Sequence, residues 1–156
     1  MTKNKKQFIF LFAFIAISLM VGFLGSQFSP DMPAVYDDLE KPSFSPPAMI
    51  FAPVWTILYL LMGISAYLIW RTREKRKVPL TFFFIQLILN LLWPIIFFGL
   101  GQYLWAFIEI IILWLMTLIT MTLFSRISKP AFYLLIPYIV WLTFAGILNF
   151  AILMIN

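Results

Sequence analysis

The sequence predicts an all-α integral membrane bundle of five transmembrane helices, and three observations carry that prediction. Of 156 residues, 63% are hydrophobic and only 11% charged, at a mean hydropathy of +1.01, whereas a soluble domain runs nearer to half apolar and a quarter charged. The apolar residues fall into five runs near the length of about 20 residues that a hydrocarbon core requires. The basic residues fall in short blocks that alternate between the runs. With 18 Phe and 6 Trp, the side chains outnumber what so short a chain can bury, so the outer surface is matched to lipid. Nucleic-acid binding, disorder and collagen-like structure are excluded on the same composition. The chain contains neither Cys nor His, which removes disulfides, the usual zinc and copper sites, and Ser-His or Cys-His catalysis. No metal and no required cofactor is expected.

The spans follow in order, as one transmembrane domain over 1–156. The first is expected at 8–28, after Lys3, Lys5 and Lys6; its apolar stretch is too long for a signal peptide and no small-x-small cleavage pattern follows, so it reads as a retained helix. The second is expected at 48–70, entered through Pro46 and Pro47, which suit a helix's first turn, and stopped by the charged string from Arg71 to Lys77. Residues 78–108 carry no charge and are too long for one span. Gly99, Gly101 and Gln102 supply a break, which gives a third helix at 78–98 and a fourth at 103–124. The fifth is expected at 131–155, after the polar turn Ser125 to Pro130.

The loops test this count independently. Ten of the eleven basic residues fall on one side: Lys3, Lys5, Lys6, Arg71, Arg73, Lys75, Arg76, Lys77, Arg126 and Lys129; only Lys41 falls on the other. Basic residues stay cytoplasmic, so the amino terminus is expected inside and the carboxyl terminus outside. With no transit peptide, a bacterial plasma membrane is the expected location. Trp70, Tyr103, Trp105 and Tyr133 stand near helix ends, as interface anchors do.

Two features suggest a site. The loop 29–47 holds Pro30, Pro33, Pro42, Pro46 and Pro47, half of the chain's ten prolines. It is expected to lack regular helix and to be stiff, able to lid a cavity at little ordering cost. Polar and aromatic residues also recur at helical spacing: Trp55, Tyr59, Met62, Gly63 and Ala66 on the second helix; Gln86, Asn90, Trp93 and Phe97 on the third; Pro137, Trp141, Ala145 and Asn149 on the fifth. These stripes are expected to converge inside the bundle, because an unpaired amide in lipid is costly. Two readings stand at this point. Asn90 and Asn149 serve as interhelical hydrogen-bonding groups, or the stripes line an apolar pocket for a flat aromatic ligand. Glu109, near the start of the fourth helix, is expected to snorkel or to stay neutral. The small residues Gly22, Gly25, Ala145 and Gly146 suit helix contacts.

The run Tyr36-Asp37-Asp38-Leu39-Glu40-Lys41-Pro42-Ser43-Phe44-Ser45-Pro46-Pro47, followed by Trp55 and Leu58-Tyr59, resembles the first loop and second helix of the translocator protein family, the TspO or tryptophan-rich sensory proteins. The segments from Gln86 to Trp93 and from Leu135 to Trp141, with Phe144, Ala145, Leu148 and Asn149, resemble its third and fifth helices. The resemblance implies a lipid-embedded five-helix bundle, a homodimer, that binds porphyrins such as protoporphyrin IX and drug-like aromatic small molecules below the first loop. It implies ligand-binding roles for Tyr36, Trp55, Asn90, Trp93, Trp141 and Ala145. Some members are described as promoting light-dependent porphyrin breakdown, for which Trp55 and Trp141 are the reactive rings this sequence offers. Tyr138 is followed by no Lys or Arg, which leaves sterol binding there unsupported. Two other functions remain as alternatives: a small secondary transporter coupled through Glu109, and a regulatory membrane protein tuned by its ligand.

Reporter fusions test the orientation. An enzyme active only in the cytoplasm is expected to work when fused to the amino terminus, and one active only outside when fused to the carboxyl terminus. Both ends reporting from the same side would contradict the five-span count.

Overall fold

In the computed structural model, residues 3–29, 31–72 and 76–156 are described. The expectations for Pro30, Arg73 and Lys75, and for the side chain of Lys3, lie outside that description. The elements are α1 (Lys3–Gln27), α2 (Met32–Asp38), α3 (Phe51–Arg71), α4 (Lys77–Pro94), α5 (Tyr103–Ser125), α6 (Lys129–Leu134) and α7 (Ile136–Ile155). A single 3₁₀ turn, Ala48–Ile50, leads into α3, and a π-helical turn, Ile95–Gly99, extends α4. Among the described residues there is no strand. Five helical stretches there are long and apolar enough to cross a membrane: Lys5–Gln27, Ala48–Arg71, Lys77–Gly99, Tyr103–Ser125 and Lys129–Ile155. Lipid offers backbone groups no hydrogen bonds, so each run closes its own as a helix.

Four local departures from expectation have physical causes. Helix α1 starts before residue 8 and takes in Lys5 and Lys6, good helix formers whose exposed side chains can reach out of the hydrocarbon. The loop contains regular helix after all. Helix α2 forms because Pro33 falls in its first turn, where a missing N–H leaves no bond unmade, while Val35 N donates to Asp31 O at 2.9 Å. Pro94 has no N–H for the carbonyl of Asn90, and beyond it the chain loosens into the π turn, where Leu100 N reaches Ile95 O at 2.9 Å. Pro137 likewise interrupts the fifth span at Leu135, separating α6 from α7. The break expected between the third and fourth spans lies at Gly101, whose φ of +62° only glycine adopts without strain.

Helix α1 packs along α3 and α4, while α5 packs against α4 and α7. Close approach of α1 to α3 depends on Gly63. A Cβ there would stand 2.6 Å from the Cα of Ile15 and 2.9 Å from the carbonyl oxygen of Phe14, both backbone atoms that cannot step aside. Higher on the same seam, Gly22 admits the ring of Tyr59. Small residues let membrane helices meet in this way, and these two set the angle at which α1 leaves the bundle.

Gly63→Ala is expected to lower thermal stability in detergent by about 1–3 kcal/mol, the usual cost of overpacking. Gly146→Ala, where the nearest atom to a new Cβ is 4.0 Å away, is expected to change little. Melting curves of the two variants side by side decide it, and equal losses would contradict the packing described.

A candidate ligand cavity beneath the first loop

A cavity of about 400 Å³ lies between α1, α3 and α4 under α2, within the range of about 300–1,000 Å³ for small-molecule sites. Its α1 wall is low because Gly22 and Gly25 carry no side chain; the α3 wall is aromatic, with Phe51, Trp55 and Tyr59. Asn90 and Trp93 come from α4, and Ile110, Leu113 and Leu142 close the far side. Tyr36 and Met32 reach in from α2. Trp55 stacks on Tyr59 with ring centroids 5.6 Å apart and meets Tyr138 edge-on at 6.3 Å.

The polar groups in the wall are tied to one another. The Tyr59 hydroxyl donates to Asn90 Oδ1; Asn90 Nδ2 donates to the Tyr138 hydroxyl at 2.9 Å, which in turn donates to Gln86 Oε1 at 2.9 Å. One amide thus joins α3, α4 and α7. A second amide repeats the device nearer the loop: Trp93 Nε1 donates to Asn149 Oδ1 at 3.1 Å, and Asn149 Nδ2 to the Tyr103 carbonyl at 3.2 Å. Asn90 and Asn149 therefore act as interhelical hydrogen-bonding groups, while Asn90 also lines the cavity. Of the two readings of the stripes, the hydrogen-bonding one holds at Asn90, which also stands in the wall of a cavity.

The cap is held from several directions. Tyr36 is 3% exposed and its hydroxyl donates to the Pro46 carbonyl at 3.0 Å. Burial pushes its phenol above the usual tyrosine range, so it stays a neutral donor. Lys41 Nζ donates to the carbonyls of Tyr36 and Asp37 and lies 4.8 Å from the Tyr36 ring centre, which completes the carboxyl end of α2. The Asn156 amide pairs with Glu40 at two points, Nδ2 to the carbonyl at 2.9 Å and Oδ1 from the N–H at 3.3 Å. Phe44 of the loop meets Phe144 of α7 edge-on at 6.4 Å.

Of the six residues expected at the site, Tyr36, Trp55, Asn90 and Trp93 line the cavity together; Trp141 and Ala145 do not. Trp141 stands one ring behind the wall, edge-on to Phe51 at 5.9 Å and beside Phe144 at 5.4 Å, and Ala145 is packed in the core. Steps of four drift by about 40° each around a 3.6-residue helix, so the expected ladder on α7 turns off its face. Pro137 is exposed, and the buried stripe is Tyr138, Leu142, Ala145 and Asn149. Glu109 does not snorkel. It is 7% exposed, and neither carboxyl oxygen has a hydrogen-bond partner among the described residues. Trp105 and Tyr133 face outward as expected of anchors, whereas Trp70 stacks under Phe10 at 3.9 Å and Tyr103 packs on Phe97 at 5.0 Å. The α1 wall and the roles of Phe51, Lys41 and Asn156 went unrecognised in the sequence; Gly22 and Gly25 were the available signal, read there as helix contacts alone.

Comparison with known proteins now bears on this arrangement. The model of the TspO/MBR family matches residues 14–155. The chain belongs to the TspO/MBR family. It is 43% identical to the tryptophan-rich protein TspO of Chlorobaculum tepidum, over 97% of this chain and 98% of that one. It is 38% identical to the translocator protein of Bos taurus, over 88% and 84% of the two chains, and 36% identical to the tryptophan-rich sensory protein of Cereibacter sphaeroides, over 78% and 76%. In this member of the family, two of the six tryptophans, Trp55 and Trp93, line the cavity. As the family and the five apolar helices indicate, the chain is an integral membrane protein.

Asn90→Leu is expected to cost about 1 kcal/mol of stability, since it removes two interhelical bonds worth about 0.6 kcal/mol each on average. A double-mutant cycle with Tyr59→Phe measures the coupling directly. A coupling energy of zero would show that the Tyr59–Asn90 bond contributes nothing.

Proposed function

We propose that the cavity binds flat, mostly apolar tetrapyrroles of the protoporphyrin IX kind, and drug-like aromatic molecules of similar shape. One observation carries this reading: a 400 Å³ space walled by Phe51, Trp55, Tyr59, Trp93 and Tyr36, with the Asn90 amide as the polar tip. Stacked and edge-on aromatic contacts contribute about 0.5–1.5 kcal/mol each beyond area burial, which suits a ligand made of conjugated rings. With neither His nor Cys in the chain, a metal-free porphyrin is a better match than ligated haem. The family's names for its members, translocator and sensory protein, fit handling or sensing of such a ligand.

For light-dependent loss of pigment, Trp55 and Trp93 are the indoles of the wall that would touch an excited ring, and Trp141 would be reached through Phe51. The same reading includes a homodimer in a bacterial plasma membrane; its amino terminus lies in the cytoplasm, an orientation the Lys/Arg asymmetry of the loops supports.

Titration of the purified protein with protoporphyrin IX in the dark, followed by tryptophan quenching, tests the proposal. Trp55→Ala is expected to weaken binding about tenfold, or 1.4 kcal/mol. Trp105→Ala, on an outward-facing ring 61% exposed, is expected to leave it unchanged. Equal affinity in all three proteins would overturn the site.

A further inference from the structure

We propose that the cavity takes its ligand sideways from the bilayer, through a mouth between α1 and α3 bordered by Phe23, Ser26, Ala52 and Thr56. This rests on the binding reading above and adds the route, and hence the class, of ligand: a planar amphiphile already dissolved in the membrane. All four residues line the cavity and all four are exposed, Phe23 at 59%. They lie on the part of the α1–α3 seam that runs toward the loop. Further along, the two helices close at Gly22 against Tyr59 and at Gly63 against Ile15, so the opening is a wedge with its apex at those glycines.

The mouth's polar groups need no water. Ser26 Oγ donates to the Phe23 carbonyl at 2.7 Å, and Thr56 Oγ1 donates to the Ala52 carbonyl at 2.8 Å. Each hydroxyl is satisfied by its own helix, which leaves methyl, methylene and ring surface facing out, as hydrocarbon requires. The aqueous side differs. There Tyr36 is buried and bonded to Pro46, Lys41 holds the end of α2, and Asn156 and Phe44 fasten the loop to α7, Phe44 by packing on Phe144. Entry from water would have to break several of these contacts. Entry from lipid breaks none.

Stopped-flow transfer of protoporphyrin IX from preloaded vesicles to proteoliposomes distinguishes the routes. Ala52→Phe and Thr56→Phe, which fill the mouth, are expected to slow both association and release about tenfold, within the one to three decades over which association rates vary among variants. Asn156→Ala, which loosens the cap, is expected to leave both rates close to wild type. Unchanged rates in the two filled-mouth variants, with faster exchange in Asn156→Ala, would overturn the lateral route. The final amplitude with the wild-type chain tests the binding reading separately. A ligand-free measurement stands beside it: in this cysteine-free chain, a fluorophore on Ser26→Cys is expected to be quenched by lipids brominated on the acyl chain and not by aqueous iodide. The reverse pattern would also overturn the proposal.

Discussion

Hydrocarbon supplies no water to satisfy an orphaned amide, and the Asn90 side chain meets that constraint by pairing with Tyr59 on one side and Tyr138 on the other. Much of the bundle's interior is arranged around this requirement. The two tyrosines come from α3 and α7, so the amide of α4 fixes three helices at one height, and Gln86 extends the chain by accepting from Tyr138. Asn149 repeats the logic where α4, α5 and α7 approach the loop. An interior of leucines could pack as well but would not choose one register, since apolar contacts between lipid-bathed helices are barely distinguished from contacts with lipid.

The cavity follows from where the packing is tight and where it is not. Glycines draw α1 onto α3 along one part of the seam, at Gly63 and Gly22, while α3 itself is braced to α4 and α7 through Asn90. The space left is lined with aromatic rings because Trp55 and Tyr59 follow one another at four residues on α3, and Trp93 stands three beyond Asn90 on α4. The cap then closes over it through local bonds, with Lys41 supplying the charge that the carbonyl end of α2 attracts. Rigid walls and a fastened cap favour binding, because little ordering remains to oppose it.

What could be read in advance divides along physical lines. The spans were legible because lipid imposes length and polarity so strictly that composition and loop charge are enough; their limits at Tyr103 and Ile155 fall where expected. The α4 stripe of Gln86, Asn90, Trp93 and Phe97 was legible because polar residues are rare enough in a membrane helix to mark its inner face. Proline was less informative than its reputation. It suggested a stiff loop without regular helix where Pro33 starts α2, and it hid a π turn after Pro94 and a break before Pro137, because its effect depends on which carbonyl loses a partner. The place of Trp141 was out of reach, since a side chain one ring behind a wall and one within it share the same spacing. Nor does local sequence disclose that Glu40 and Asn156, 116 positions apart, pair through one amide.

The central claim is that aromatic rings held in place by the Asn90 brace form one chamber under the cap, and that a flat conjugated ligand occupies it. Intermolecular nuclear Overhauser effects between protoporphyrin IX and the protein in lipid nanodiscs test this most directly. Contacts from the porphyrin's ring-edge protons to the side chains of Trp55, Trp93 and Asn90 are the predicted result. Contacts confined to Trp105, Tyr133 or other outward-facing residues, with none to those three, would contradict it.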